Sequence, residues 1–202
     1  MISKKELEER IIQACENVIA SEDELTAIDS KFGDADHGLT MHKIGETVKT
    51  SVSESAGSIK EMLDDAAMAV MGLNGGSAVP LWNTWLDGMQ EGAPDAEEID
   101  VQGLKDMFAE ALAELDDMSG AKVGDKTMMD ALIPASQAIA AYAGDSEKEL
   151  FAVAAAAALE GAENSKNFVS KFGRAKSYGT QTIGTPDAGA VSMSKFFEGL
   201  AK

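Results

Sequence analysis

Asp29-Ser30-Lys31-Phe32-Gly33-Asp34-Ala35-Asp36-His37-Gly38 is the stretch on which the reading of this chain turns. Asp29 to His37 puts three carboxylates and one of only two histidines within nine residues, with Gly33 and Gly38 as punctuation. Carboxylate oxygens are hard donors of the kind Mg²⁺ takes, and glycine lets a backbone turn sharply and approach a ligand closely. On one unbroken helix Asp29 and Asp36 would share a face and Asp34 would lie elsewhere. Gly33 is therefore read as ending one helix, Asp34 to Gly38 as a loop, and the next helix as starting near Gly38. Three carboxylates then meet, with the first amides of the new helix facing the same point. Because a helix N-terminus favours anions, metal and phosphate would share one site. The plainer reading, with Asp34 and Asp36 as turn and N-cap residues and Asp29 solvated, explains each carboxylate singly. Asp29 and His37 together with the other two favour the ligand site.

Outward from this stretch nearly every segment is helical in period. Leu7, Ile11, Ile12, Cys15, Val18 and Ile19 form one apolar stripe, Ile59, Met62, Leu63, Ala66 and Val70 a second, and Val101, Leu104, Met107, Phe108, Leu112 and Leu115 a third. Ala131 to Tyr142 and Leu150 to Leu159 continue the pattern, and no alternating strand is evident. Breaks fall at Ser21-Glu22-Asp23, Gly33, Ser55-Ala56-Gly57, Asn74-Gly75-Gly76, Gly92-Ala93-Pro94, Ser119-Gly120, Gly144-Asp145-Ser146 and Gly173 to Thr185. The expectation is an all-α chain of about eight helices joined by mostly short loops, hence antiparallel neighbours in one bundle. No repeat or composition shift divides residues 1–202, so a single domain is expected.

Composition narrows the partners. Hydrophobic residues make up 45% and aromatics only 5%, a balance that favours helices. The net charge of −18 argues against nucleic acid and anionic membrane as partners. A free nucleotide would be repelled as well, unless metal offsets the charge. From Glu160 to Lys202 six basic residues face four acidic ones, so only this last part would meet an anion with net positive charge. Cys15 is the sole cysteine, which rules out an intrachain disulfide and fits a reducing compartment. The N-terminus has no signal-peptide core, and the longest apolar run, Phe151 to Leu159, is too short to span a bilayer. A soluble, cytoplasmic protein is the expectation.

Four further motifs carry candidate residues. Asn74 to Trp82 is a glycine turn opening into a helix, where exposed amides after Gly75-Gly76 and the Ser77 hydroxyl suit a phosphate. Gly124-Asp125-Lys126-Thr127 has only a superficial likeness to a P-loop, since Asp125 separates Gly124 from Lys126 and no strand precedes it. Asp125 or Thr127 is read there as a helix N-cap, and Met128 and Met129 as core or as flanks of a flat ring. Gly173-Arg174-Ala175-Lys176-Ser177-Tyr178 carries one of only two arginines on a segment able to close over a nucleotide. Pro186-Asp187-Ala188-Gly189 reads as the start of the last helix. His42 lies five residues from His37 and off its face, and is read as an ordinary surface or packing histidine.

Taken in order, Gly33–Gly38, Gly75-Gly76-Ser77, Gly124–Met128, Gly173–Tyr178 and Pro186–Gly189 resemble the signatures of the nucleotide-binding L subunit of the dihydroxyacetone kinases, the DhaL family, almost end to end. The resemblance implies an eight-helix antiparallel barrel whose loops at one end hold ADP or ATP with two Mg²⁺ ions. It implies Asp29, Asp34 and Asp36 as metal ligands and His37, Gly38, Leu39, Thr40, Gly76 and Ser77 as phosphate contacts. Gly120 and Met128 would line the adenine and ribose pocket, and Arg174, Pro186, Asp187 and Ala188 would close it. It further implies a phosphotransferase subunit of glycerol metabolism that passes a phosphoryl group to a hydroxyketone held by a separate K subunit. In the phosphotransferase-system branch a phosphohistidine subunit, DhaM, recharges the bound ADP; in the other branch ATP exchanges.

The chain departs from that family after Ser77. Where dihydroxyacetone kinases usually have Ser-Gly-Pro-Leu-Tyr/Phe-Gly, it has Ala78-Val79-Pro80-Leu81-Trp82-Asn83. The departure bears on the substrate, erythrulose being another short ketose, and on the donor. A fatty-acid-kinase-type domain usually has Thr where His37 stands and is fused to further domains. A non-enzymatic regulator that binds a transcription factor is the reading from a different class.

Overall fold

The computed structural model describes residues 1–202. Nine α-helices follow one another: α1 Lys4–Ile19, α2 Glu22–Asp29, α3 His37–Glu54, α4 Ile59–Met71, α5 Ala78–Gly92, α6 Val101–Ser119, α7 Met129–Ala141, α8 Glu147–Asn164 and α9 Ala188–Leu200. Short 3-10 segments at Ser165–Asn167 and Arg174–Thr182 lie between α8 and α9. Most helices start where the sequence supplies an oxygen for an orphan amide. Ser3, Asp100, Ser146 and Asp187 each accept from the amide three residues on. Ser58 and Glu61 form a reciprocal capping box at the head of α4. Gly120 closes α6 at φ +63°, a left-handed conformation that glycine takes without strain.

Neighbouring helices pack in sequence. α1 lies on α3, α3 on α4, α4 on α5, α5 on α6, α6 on α7, α7 on α8, α8 on α9, and α9 returns to α1. The short α2 sits over α3 and α9. It is an eight-residue helix beyond the eight or so that periodicity suggested. One further difference is a two-residue antiparallel ladder, β1 Ile2–Ser3 against β2 Glu98–Ile99. Two residues are too few to show alternation, so no sequence pattern announces it.

A continuous apolar core lies among the helices. At its centre Trp85 stacks edge-on to Trp82 and Phe196, with ring centroids 5.4 and 5.2 Å apart. Phe108 and Phe197 complete the cluster. Each such side chain, fully buried, contributes roughly 2–3 kcal/mol. Between α7 and α8 the approach is closer. Pro134 lacks the amide that would bond the Asp130 carbonyl inside α7. Gly161 of α8 lies against that carbonyl, where a Cβ would stand 2.0 Å from the oxygen. Cys15 is fully enclosed in α1, and burial pushes its thiol up to about 12. No helix is long and apolar enough to cross a membrane.

Candidate functional site

The turn from α2 to α3 is built around one carboxylate. Asp29 is the last residue of α2, and its backbone carbonyl accepts from Gly33 N at 2.7 Å. A Cβ on Gly33 would stand 1.9 Å from Asp29 Oδ1, so glycine leaves that carboxylate in its place as the chain passes beside it. Ala35 takes a left-handed φ of 61° to complete the reversal. Asp29 Oδ2 then accepts from Asp36 N at 3.1 Å and His37 N at 3.4 Å. Asp36 precedes α3 but its side chain caps nothing. The first amides of α3 are thus held by Asp29, whereas the sequence reading left them free to face a ligand.

Folding at Gly33 brings Asp29, Asp34 and Asp36 together, with one oxygen from each lying within 4.8 Å of the others. Loss of water, then the charges of Asp34 and Asp29, pushes the Asp36 carboxyl above its usual range. Arg174 places Nη2 2.8 Å from Asp34 Oδ2, a cation of the chain standing at the cluster's edge. Three converging hard oxygens, mutual repulsion and a stand-in cation fit a divalent metal such as Mg²⁺.

The cluster opens onto a cavity of about 460 Å³. Of the residues singled out in the sequence, Asp29, Asp34, Asp36, His37, Thr40, Gly76, Ser77, Met128, Arg174, Asp187 and Ala188 line it. Gly38, Leu39, Gly120 and Pro186 do not. Gly38 packs on α2, where a Cβ would stand 2.2 Å from the Glu22 carbonyl, and Leu39 points to solvent. Gly120 carries the chain between two lining residues, Ser119 and Ala121, and Pro186 only precedes one. The amides of Gly76 and Ser77 donate to no protein acceptor, as a phosphate cradle requires. The His37 ring lies against α9 with Nε2 3.1 Å from Ser192 Oγ. That hydroxyl also lies 2.9 Å from the Gly189 carbonyl. Burial pushes the ring below its usual pKa, against the pull of Asp29. His42 instead pairs with Glu22 on the surface at 2.6 Å.

Leu81, Trp82, Ala121 and Met129 give the cavity an apolar side, and Lys126, Thr127 and Phe172 also line it. Of these the sequence offers Met129, as core or as the flank of a flat ring, and passes over Ala121, Lys126 and Phe172 as site residues. Leu81 and Trp82 enter the sequence reading only within a turn opening into a helix and in the departure after Ser77, and Thr127 only as a candidate N-cap. The cap at the Gly124–Thr127 turn is Asp130, which accepts from Gly124 N at 2.6 Å and Thr127 N at 2.7 Å. Asp125 accepts from Lys122 N and pairs with Lys171 at 2.6 Å, while Thr127 Oγ1 takes the Met129 amide at 3.2 Å. Asp187 caps α9, and burial pushes its carboxyl up to about 7.

A model of the DAK2 domain matches residues 31–202. The L-erythrulose kinase of Pectobacterium atrosepticum is 32% identical over 189 residues, spanning 91% of this chain and 32% of that enzyme. The ADP-binding subunit DhaL of PEP-dependent dihydroxyacetone kinase 2 from Listeria innocua is 29% identical over 89% of this chain and 87% of its own. The chain thus spans about a third of the erythrulose kinase and most of the Listeria subunit. The dihydroxyacetone kinase of C. freundii shares the fold, with a TM-score of 0.74, 22% identity, and coverage of 96% of this chain and 34% of that one. The same enzyme has been solved in complex with AMP-PNP and Mg²⁺.

Proposed function

The chain belongs to the DAK2 domain family, and on that premise we propose that it is the nucleotide-binding subunit of a kinase for dihydroxyacetone or a similar short hydroxyketone. The observation that carries this is the meeting of Asp29, Asp34 and Asp36 at the mouth of a cavity of nucleotide size. We read the eight longer helices, each packed on the next and the last on the first, as an eight-helix antiparallel barrel with this site in the loops at one end. Asp29, Asp34 and Asp36 would hold two Mg²⁺ ions. When bound, magnesium neutralises charge on the terminal phosphates of ADP or ATP and aligns them for in-line transfer.

The chain's own part is positioning. The free amides of Gly76 and Ser77 receive phosphate oxygens. His37 and Thr40 flank them, and Arg174 adds positive charge beside Asp34. Leu81, Ala121 and Met128 offer an apolar wall to the base, with Gly120 holding that wall's turn. Asp187 and Ala188 bound the far side. The acceptor ketose is expected on a separate K-type subunit. Leu39, Met71, Met118, Phe172, Tyr178 and Ile183 leave large apolar surface exposed on segments that reach the site, as a protein-docking rim does. The near full-length match to a PEP-dependent DhaL supports a cytoplasmic, phosphotransferase-system-dependent complex with a DhaM-type donor. The higher identity to an erythrulose kinase favours a second reading, an ATP-dependent subunit for a four-carbon ketose.

Isothermal titration with ADP and Mg²⁺ tests the shared core of both readings. Binding should be metal-dependent and lost in Asp34→Ala. At ligand hundreds to a thousandfold above its Kd, stability should rise by roughly 3–4 kcal/mol. Absence of binding, or equal binding by the variant, removes the basis of the proposal.

A further inference from the structure

Lys126 is the only buried lysine, with 5% of its surface exposed. It sits at a left-handed φ of 62°, a conformation that side-chain-bearing residues rarely adopt. Its Nζ stands within hydrogen-bonding distance of four backbone carbonyls, Ser165 at 2.8 Å, Phe168 at 3.2 Å, Thr182 at 2.9 Å and Thr185 at 2.6 Å, so its three N–H groups serve four acceptors with one proton shared. No carboxylate pairs with it directly, although Asp187 and Asp130 lie near enough to act through charge. Carbonyls cannot bond one another; Ser165 and Thr182 also accept from the amides of Phe168 and Thr185, at 3.2 and 3.4 Å, but the carbonyls of Phe168 and Thr185 have the ammonium as their donor.

The four carbonyls belong to the two roots of one segment, the strap from Ser165 to Thr185. Other bonds close the same knot: Gly184 N donates to the Lys166 carbonyl at 2.7 Å, and Ser170 N to Thr182 Oγ1 at 3.1 Å. The strap's tip reaches the acidic cluster. Arg174 pairs with Asp34, and Tyr178 packs on Phe32 with ring centroids 5.2 Å apart. The strap then leads into Asp187, whose amide donates to Ser165 Oγ at 2.8 Å.

We propose that Lys126 is a positioning residue for the nucleotide site: its ammonium pins both roots of the Ser165–Thr185 strap and so sets Arg174 against the aspartate cluster. This rests on the proposed nucleotide reading of the cavity. The ammonium works as an internal cation solvated by backbone, in the way a bound metal ties loops together.

Hydrogen exchange by mass spectrometry on the full chain without nucleotide, with Mg-ADP titration alongside, tests this in Lys126→Met and Lys126→Arg. In Lys126→Met, peptides across 165–187 should exchange on the order of tenfold faster. Those of α3 to α6 should be unchanged, and Mg-ADP affinity should fall. Lys126→Arg, which keeps a cation, should recover much of the strap's protection and of the affinity. Arg174→Ala should weaken Mg-ADP binding while the strap roots stay protected, separating tip from anchor. Wild-type strap protection and affinity in Lys126→Met would overturn the proposal. So would loss of the whole fold in both lysine variants, because the ammonium would then hold the core and not the strap. If the wild-type chain binds no Mg-ADP, the nucleotide reading fails, and the exchange pattern alone decides whether Lys126 anchors the strap.

Discussion

Gly33→Ala separates the stability of the chain from the integrity of its acidic cluster. The added Cβ would stand 1.9 Å from Asp29 Oδ1 and 2.7 Å from Asp29 Cγ, while the nearest backbone atom, the Asp29 carbonyl oxygen, is 3.0 Å away. The side chain is the part free to move, so the carboxylate swings aside and the backbone largely stays. Its two bonds to the head of α3, at 3.1 and 3.4 Å, are then lost. Such charge-assisted bonds contribute about 1.5–3 kcal/mol each when short and dry. These are long and partly solvated, so a global loss of roughly 1 kcal/mol, or about 2–4 °C in Tm, is expected. Binding suffers more, because one of three proposed metal ligands leaves its place. A loss of about 2.7 kcal/mol, roughly a hundredfold in Kd for Mg-ADP, is expected. Calorimetric melting and isothermal titration of the same preparation give both numbers. Unchanged Mg-ADP affinity with a displaced Asp29 would refute the assignment of that carboxylate to the metal.

Gly161→Ala should act in the opposite way, at a place far from ligand chemistry. Its Cβ meets the Asp130 backbone carbonyl at 2.0 Å, so α7 and α8 must part, at a cost of about 2 kcal/mol and roughly 4–8 °C in Tm. A melting curve like that of wild type would contradict the packing described. Asp187 gives a pH dependence of definite sign. Its folded pKa of about 7 lies above the ordinary carboxylate value, so between the two the folded chain keeps a proton that the unfolded chain has released. Stability from this group is therefore lost as pH rises through that window. Asp187→Asn retains an acceptor for Ala190 N and never acquires the charge. Its Tm should exceed that of wild type most at about pH 8 and converge with it only below about pH 4, the ordinary carboxylate range. A constant difference at both pH values would count against burial as the cause.

Much of this architecture can be read from residue patterns, because helices advertise their buried stripe every three or four residues. The breaks at Ser21, Ser55, Gly92, Gly120 and Ser146 coincide with real helix ends, whereas Gly33, read as ending a helix, lies in the turn four residues past the end of α2. Local patterning fails where partners are remote in sequence. The Ile2–Ser3 ladder depends on a strand nearly a hundred residues away. Lys126 finds its four acceptors only after α8 and the strap have folded back over it. The acidic cluster is legible because its three members flank one glycine turn. Which group caps α3 is not, since Asp36 occupies the capping position by sequence while Asp29 does the bonding from seven residues upstream. The cavity's apolar side is hidden for another reason: a leucine or tryptophan that lines a pocket has the same period as one that fills a core.

The enclosed Cys15 has a practical consequence. A thiol whose pKa is about 12, and which solvent does not reach, stays silent toward maleimides at neutral pH. Any cysteine introduced elsewhere is then the sole labelling position, with no background to subtract. Tyr178→Cys would carry a dye to the tip of the strap, with the sunken Trp82–Trp85 pair as intrinsic fluorescence donors. Energy transfer between them would report whether the strap moves when magnesium and nucleotide are added.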